Sequence, residues 1–152
     1  MRLQTYRTSQ ILNASKERIW DFISTPENLQ EITPKYLGFE ILSEHLPSKI
    51  YAGTIIQYNV RPILGIRMSW VTEITHVEEG KYFVDEQRFG PYKFWHHTHI
   101  LTQTSEGVLM EDIVRYAPPF GFLGTIANTL FIKKQLTAIF DYRRSKLEKL
   151  FG

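Results

Sequence analysis

Between Leu37 and Tyr116 the chain repeats a single pattern: six segments in which apolar and polar residues alternate, separated by short turns. The segments are 37–45, 53–61, 65–76, 81–89, 94–103 and 108–116. Their links hold Pro47, Gly53, Pro62-Ile63-Leu64-Gly65, Glu79-Gly80, Gly90-Pro91 and Glu106-Gly107, all turn-forming residues. Links this short join antiparallel neighbours, so a meander is expected. Pro118 and Pro119 end it, and 120–151 reads as one helix. Its second half sets Ile132, Leu136, Ile139, Phe140, Leu147, Leu150 and Phe151 on one face at spacings of three and four.

Before the meander, residues 3–12 suit a strand. Ser15 is placed to cap a helix over 16–24, with Glu17 in its first turn. Pro26 and Pro34 bracket a second short helical stretch, PENLQEIT. The order β-α-α-β-β-β-β-β-β-α predicts an α+β domain in which a curved sheet packs on the terminal helix. At 152 residues, the expectation is one domain over 1–152.

Composition excludes several classes. With 43% hydrophobic and 22% charged residues, the chain is expected to fold. Absence of cysteine removes disulfides, thiolate metal sites and a cysteine nucleophile. No apolar run reaches about 18 residues, so no membrane span is expected, and MRLQTYRTSQIL has no secretory apolar core. A cytoplasmic location is the resulting expectation. The formal charge is +2. Residues 120–152 carry six basic side chains against two acidic, and the remainder twelve against fourteen. The basic side is read as the solvated face of the terminal helix, with peripheral contact to anionic lipid as the alternative and nucleic acid not expected.

The turns also fix a register. A hairpin closed at 89–93 sets Asp85 opposite His97 and Gln87 opposite Trp95. One closed at 105–107 sets His99 opposite Asp112 and Leu101 opposite Met110. A turn near Glu79-Gly80 sets Thr72 opposite Asp85 and Trp70 opposite Gln87. Partners share a face. One face then holds Met68, Trp70, Thr72, Phe83, Asp85, Gln87, Phe89, Trp95, His97, His99, Leu101, Met110, Asp112, Val114 and Tyr116. The other holds Arg67, Ser69, Glu73, Glu86, Arg88, His96, Thr98, Glu111 and Arg115, and is expected to be solvated.

Two histidines and two aspartates in the middle of a buried face need partners, because an unpaired buried charge costs several kcal/mol. The first reading is an Asp–His network that shapes a cavity wall. The second is ligand recognition, since small-molecule sites are mostly apolar with a few convergent polar groups. Its candidate contacts are Met68, Trp70, Thr72, Phe83, Asp85, Gln87, Trp95, His97, His99, Met110, Asp112 and Tyr116. The third is catalysis by His97 or His99 as general base, oriented by Asp85 or Asp112, with Tyr116 or Gln87 polarising a carbonyl. A metal held by His97, His99 and a carboxylate is a weaker reading, because aspartates opposite histidines suit hydrogen bonding. No metal or cofactor is expected. Trp20, Trp70 and Trp95 serve either as core or as stacking surfaces. The stretch PPFGFLGTIANTLF reads as core or as a gate over a cavity mouth. No phosphate loop, nucleophile elbow or zinc spacing appears.

The order of elements, with ILNASKERIWDFISTPENLQEITP, FVDEQRFGPYKFWHHTHIL and APPFGFLGTIANTLFIKKQLTAIFDYRRSKL, resembles the START/Bet v 1-like superfamily. Within it the chain is similar to bacterial SRPBCC proteins of the polyketide cyclase/dehydrase-like, ligand-binding kind. The resemblance implies a helix-grip fold: a curved seven-stranded antiparallel sheet wrapped around a long C-terminal helix, with two short helices after strand 1. It also implies a cavity between sheet and helix for a small hydrophobic or aromatic molecule. The alternative is a cyclase/dehydratase- or hydrolase-type enzyme using the Asp–His pair.

Overall fold

The computed structural model describes residues 2–63, 65–118 and 125–152. β1 (Gln4–Leu12) leads to α1 (Lys16–Ile23), which the Ser15 side chain caps by accepting from the Arg18 amide at 3.2 Å. Two 3-10 turns follow, Pro26–Gln30 and Lys35–Leu37. Then come β2 (Glu40–Ile41), β3 (Ile55–Ile63), β4 (Ile66–Glu78), β5 (Tyr82–Phe89), β6 (Phe94–Thr104) and β7 (Gly107–Ala117). The chain closes with α2, Thr125–Phe151. All seven strands form one antiparallel sheet in the order β1-β7-β6-β5-β4-β3-β2.

The expected strand over 37–45 shrinks to two residues. Gly38 sits in the left-handed region at φ 57°, where it ends the 3-10 turn, and the chain joins the sheet only at Glu40 and Ile41. Gly107 meets a different demand. Its φ is 138°, and a Cβ there would lie 2.7 Å from the Leu12 carbonyl oxygen, so β1 closes on the β6–β7 hairpin only over a glycine.

Pairing of β5 with β6 and of β6 with β7 follows the turn-derived register, with Asp85 opposite His97 and His99 opposite Asp112. The β4–β5 register differs: Ile74 lies opposite Asp85, and Thr72 opposite Gln87. The turn lies later than expected, with Glu78 opposite Tyr82, and two bulges interrupt the pairing: Thr75 is the extra residue on β4, between Ile74 and His76, and Arg88 the extra residue on β5, between Gln87 and Phe89. The net offset in the middle of the strand is even, so Thr72 and Trp70 remain on the inner face. Phe89 does not, because beyond the second bulge it pairs with Val71 and is 65% exposed.

Two apolar clusters fill the space under the sheet. One joins Leu12, Ile19, Trp20, Phe83, Met110 and Leu147. The other joins Trp70, Tyr92, Tyr116, Ile132, Leu136 and Phe140. The stripe of α2 that faces inward is Ile132, Leu136, Phe140, Arg143, Leu147 and Phe151, whereas Leu150 is exposed. Arg143 therefore belongs to the buried side of the helix, not to its solvated basic face. The stretch read as core or gate begins at Pro118, and 119–124 lie outside the described residues. Leu130 and Phe131 at its end are exposed, against the core reading there. Among the described residues, no helix is long and apolar enough to cross a membrane.

Candidate functional site

Alternation along β6 sends His97 and His99 to the same inner face, flanked by Asp85 of β5 and Asp112 of β7. The short contacts run diagonally. His97 Nε2 is 2.7 Å from Asp112 Oδ1, and His99 Nε2 is 2.6 Å from Asp85 Oδ2. The directly opposed pairs are longer: His97 Nδ1 lies 3.4 Å from Asp85 Oδ2, and His99 Nδ1 lies 3.3 Å from Asp112 Oδ1 without hydrogen-bond alignment. Diagonal contact arises because side chains lean along their strands and residues two apart across a ladder remain within reach. Trp95 Nε1 donates to Asp85 Oδ1 at 3.3 Å.

The imidazoles stack on each other at 3.7 Å and 28°, and His99 stacks on Phe83 at 3.9 Å. Phe140 of α2 meets His97 edge-on at 5.5 Å. The polar group is thus seated where the two apolar clusters meet. Asp85, His97 and His99 offer ligand atoms within 4.8 Å of one another. Both Nε2 atoms, however, already face carboxylates, and a nitrogen of each ring approaches the same oxygen of Asp85 and the same oxygen of Asp112. This geometry suits a hydrogen-bonded network better than a metal centre.

Charge distributes unevenly over the cluster. Burial alone would raise Asp112, but the Arg143 charge and the contacts with both histidines hold it well below the usual carboxylate range. Asp85 is also lowered, because His97 and His99 outweigh its burial. His97 is pushed down by burial and by the neighbouring His99. For His99, burial pulls down, but contacts with Asp112 and Asp85 win and raise it. The two rings are thus shifted in opposite directions, and a proton is favoured on His99 over His97.

A pH profile follows from these directions. On acidification toward 6.5, the ordinary histidine value, the folded state takes up the His99 proton before the unfolded chain does, so stability rises. Below 6.5 the unfolded chain protonates its counterpart of His97 first, so stability falls. Below 3.8 the lowered aspartates add a further loss. Urea unfolding across pH should therefore show a maximum near 6.5. His97→Gln should flatten its acid side and His99→Gln its alkaline side. A profile identical in both variants would contradict the assignment.

A cavity of about 170 Å³ adjoins the cluster, bounded by the sheet, the segment from α1 through the 3-10 turns, and α2. Of the sequence-derived candidates, Trp70, Thr72, Phe83, Asp85, Trp95, His97 and His99 border it. Met68, Gln87, Met110, Asp112 and Tyr116 do not. Met110 and Tyr116 are buried in the two apolar clusters. Gln87 is turned back on its own hairpin, donating to the Tyr92 carbonyl at 2.7 Å and accepting from the Tyr92 amide at 3.0 Å. Asp112 stands behind the histidines, and Met68 lies farther along β4, opposite Val60. Neither Tyr116 nor Gln87 is therefore placed to polarise a carbonyl in the cavity.

Other wall residues were not anticipated. Tyr58 enters because β3 pairs with β4 as Ile56–Thr72 and Tyr58–Trp70, and burial raises its phenol strongly. Leu29 and Ile32 come from the turn segment, and Leu136, Ile139 and Arg143 from α2. Extending the register across β3, and reading the α2 stripe through position 143, would have found Tyr58 and Arg143.

Known proteins agree with this architecture. The family of polyketide cyclases / dehydrases and lipid transport proteins matches residues 12–139. Protein CV1439 from Chromobacterium violaceum superposes with a TM-score of 0.71 at 16% identity, covering 97% of this chain and 96% of its own. Protein TTHA0849 from Thermus thermophilus gives 0.70 at 16% identity, covering 96% and 95%. The major latex-like protein 151 of Panax ginseng gives 0.66 at 11% identity, covering 99% and 98%. No curated protein sequence matches the chain. A helix-grip sheet closed by α2, matched over most of its length by one family, places the chain in the polyketide cyclase / dehydrase and lipid transport family, within the START/Bet v 1-like superfamily.

Proposed function

We propose that residues 1–152 act as one domain that binds a small, largely apolar molecule between the sheet and α2. The observation that carries this reading is the cavity itself. Aromatic and aliphatic side chains line most of it, and the Asp–His cluster forms a polar spot on its wall. Its volume, about 170 Å³, is close to the roughly 150 Å³ of an apolar cavity that accepts benzene. A single ring or a short isoprenoid unit fits that space better than a multi-ring molecule. Native mass spectrometry of protein purified gently from its own host should show a retained mass. Repeated recovery of empty protein, together with no quenching of tryptophan fluorescence by toluene, would overturn the reading, since Trp70 and Trp95 stand on the wall.

One observation favours a second, enzymatic reading. His97 borders the cavity, Asp112 fixes its orientation from 2.7 Å, and its surroundings keep it neutral, as a general base requires. Turnover of enolisable aromatic substrates should then collapse in His97→Gln. Rates unchanged by that substitution would eliminate the reading.

A further inference from the structure

Arg143 occupies a position where the helix pattern calls for an apolar residue. It lies between Phe140 and Leu147 in the inward stripe of α2 and is 8% exposed. A buried guanidinium is costly unless its charge and its N–H groups are both met. Here its charge is partly met, while one of its donors, the enclosed Nε–H, has no partner among the described residues. The nearest carboxylate oxygen, Asp112 Oδ1, is 4.0 Å from Nη2, beyond hydrogen-bond reach. That same oxygen is held by His97 at 2.7 Å. Nε is enclosed without a partner among the described residues. The Phe140 ring, 5.3 Å from the guanidinium carbon, covers one side, and the residue borders the cavity.

Unmet hydrogen bonding on the cavity wall has one sign. Among the described residues, the enclosed wall atoms without a partner are Arg143 Nε and Trp70 Nε1, both donors, and His99 Nδ1, a donor when His99 is protonated. The strong acceptor on the wall, Asp85, already takes hydrogen bonds from His99 and Trp95. Gln135 donates to the Pro62 carbonyl, and Tyr58 and Thr72 face each other at 3.4 Å. What the wall lacks is an acceptor, and beside a guanidinium the acceptor that fits best is planar and anionic, with two oxygens.

Resting on the binding function proposed above, we infer that the ligand is a compact apolar ring bearing one carboxylate, anchored by Arg143. The space of about 170 Å³ accommodates one ring with its carboxyl group. Because the fold has already buried the arginine, its Nε–H offers an entering carboxylate a donor with no partner among the described residues, while Asp112 offsets part of its charge.

The intact protein can be titrated with benzoate, benzamide and toluene, following quenching of the wall tryptophans and the heat of binding. Benzoate should bind about tenfold more tightly than its neutral isostere benzamide, the scale of one charge-assisted hydrogen-bonded contact. Arg143→Gln should abolish that preference and leave toluene unchanged, and Arg143→Lys should keep part of it. If Arg143→Gln does not fold, the benzoate-to-benzamide ratio of the unaltered protein decides alone. Toluene and benzamide binding with no advantage for benzoate would overturn the anion assignment and leave the cavity function standing. Silence from all three probes would remove both.

Discussion

Replacing Asp112 with alanine should lower the unfolding free energy by about 3–5 kcal/mol, the usual cost of leaving a buried charge without its partner. Asp112 is 6% exposed and stands at the centre of the charge arrangement. Its Oδ1 faces His97 Nε2 at 2.7 Å, His99 Nδ1 at 3.3 Å and Arg143 Nη2 at 4.0 Å. Without it, Arg143 keeps its charge with no anion nearby on its side of the cluster. Asp85→Ala should cost less, because the Asp85 side chain is 17% exposed against 8% for Asp112, and water can replace part of what is lost. Adding Arg143→Met and substituting Asp112 with leucine should relieve the penalty only in part, since it removes the uncompensated arginine but leaves His97 Nε2 without its acceptor. Urea unfolding with comparable slopes would measure all of these. A loss under about 1 kcal/mol for Asp112→Ala would mean that the ionised cluster does not hold the sheet to α2.

The same cluster shows how far a sequence carries this fold. Period-two alternation and glycine-bearing turns are local signals, and they sufficed to bring Asp85, His97, His99 and Asp112 onto one face. Which carboxylate each histidine contacts was not legible, because diagonal pairing depends on side-chain lean rather than on register. The bulges at Thr75 of β4 and Arg88 of β5 were missed for a related reason: a bulge conserves alternation on either side and is visible only against its partner strand. Phe89 was lost to the exterior that way. The wall supplied by Leu29 and Ile32 is a matter of tertiary packing, since 3-10 turns carry no extended periodicity. Arg143 is the instructive case. Its spacing from Phe140 and Leu147 was available, but composition grouped it with Arg144 and the solvated lysines. Arg144 does reach outward from that stripe, donating to Thr8 and to the Ser9 carbonyl of β1. Adjacent arginines on a helix point about 100° apart, so one can be buried while the other ties down an edge strand.

Phe140→Ala should destabilise the protein by about 3–5 kcal/mol and also change what it binds. Phe140 is 5% exposed and borders the cavity. Its ring stacks on Tyr6 at 5.2 Å, meets His97 at 5.5 Å and lies beneath Arg143 at 5.3 Å. Truncation would therefore remove one contact through which α2 braces β1, together with its contacts to His97 and the buried arginine. Because β1, β6 and α2 are fixed by the sheet and by the apolar clusters on either side, the void should collapse only in part. The remaining space would join the present cavity of about 170 Å³, so two-ring molecules that do not fit the unaltered protein should enter. Ligand binding would then offset part of the lost stability, by roughly 2.7 kcal/mol at a free concentration about one hundred times the dissociation constant. Urea unfolding with and without naphthalene or toluene separates the contributions. The variant should be rescued more by naphthalene, and the unaltered protein stabilised more by toluene. Equal response of both proteins to both rings would mean that Phe140 does not limit the size of the occupant, which would then be set on the helix side by Gln135, Leu136, Ile139 and Arg143.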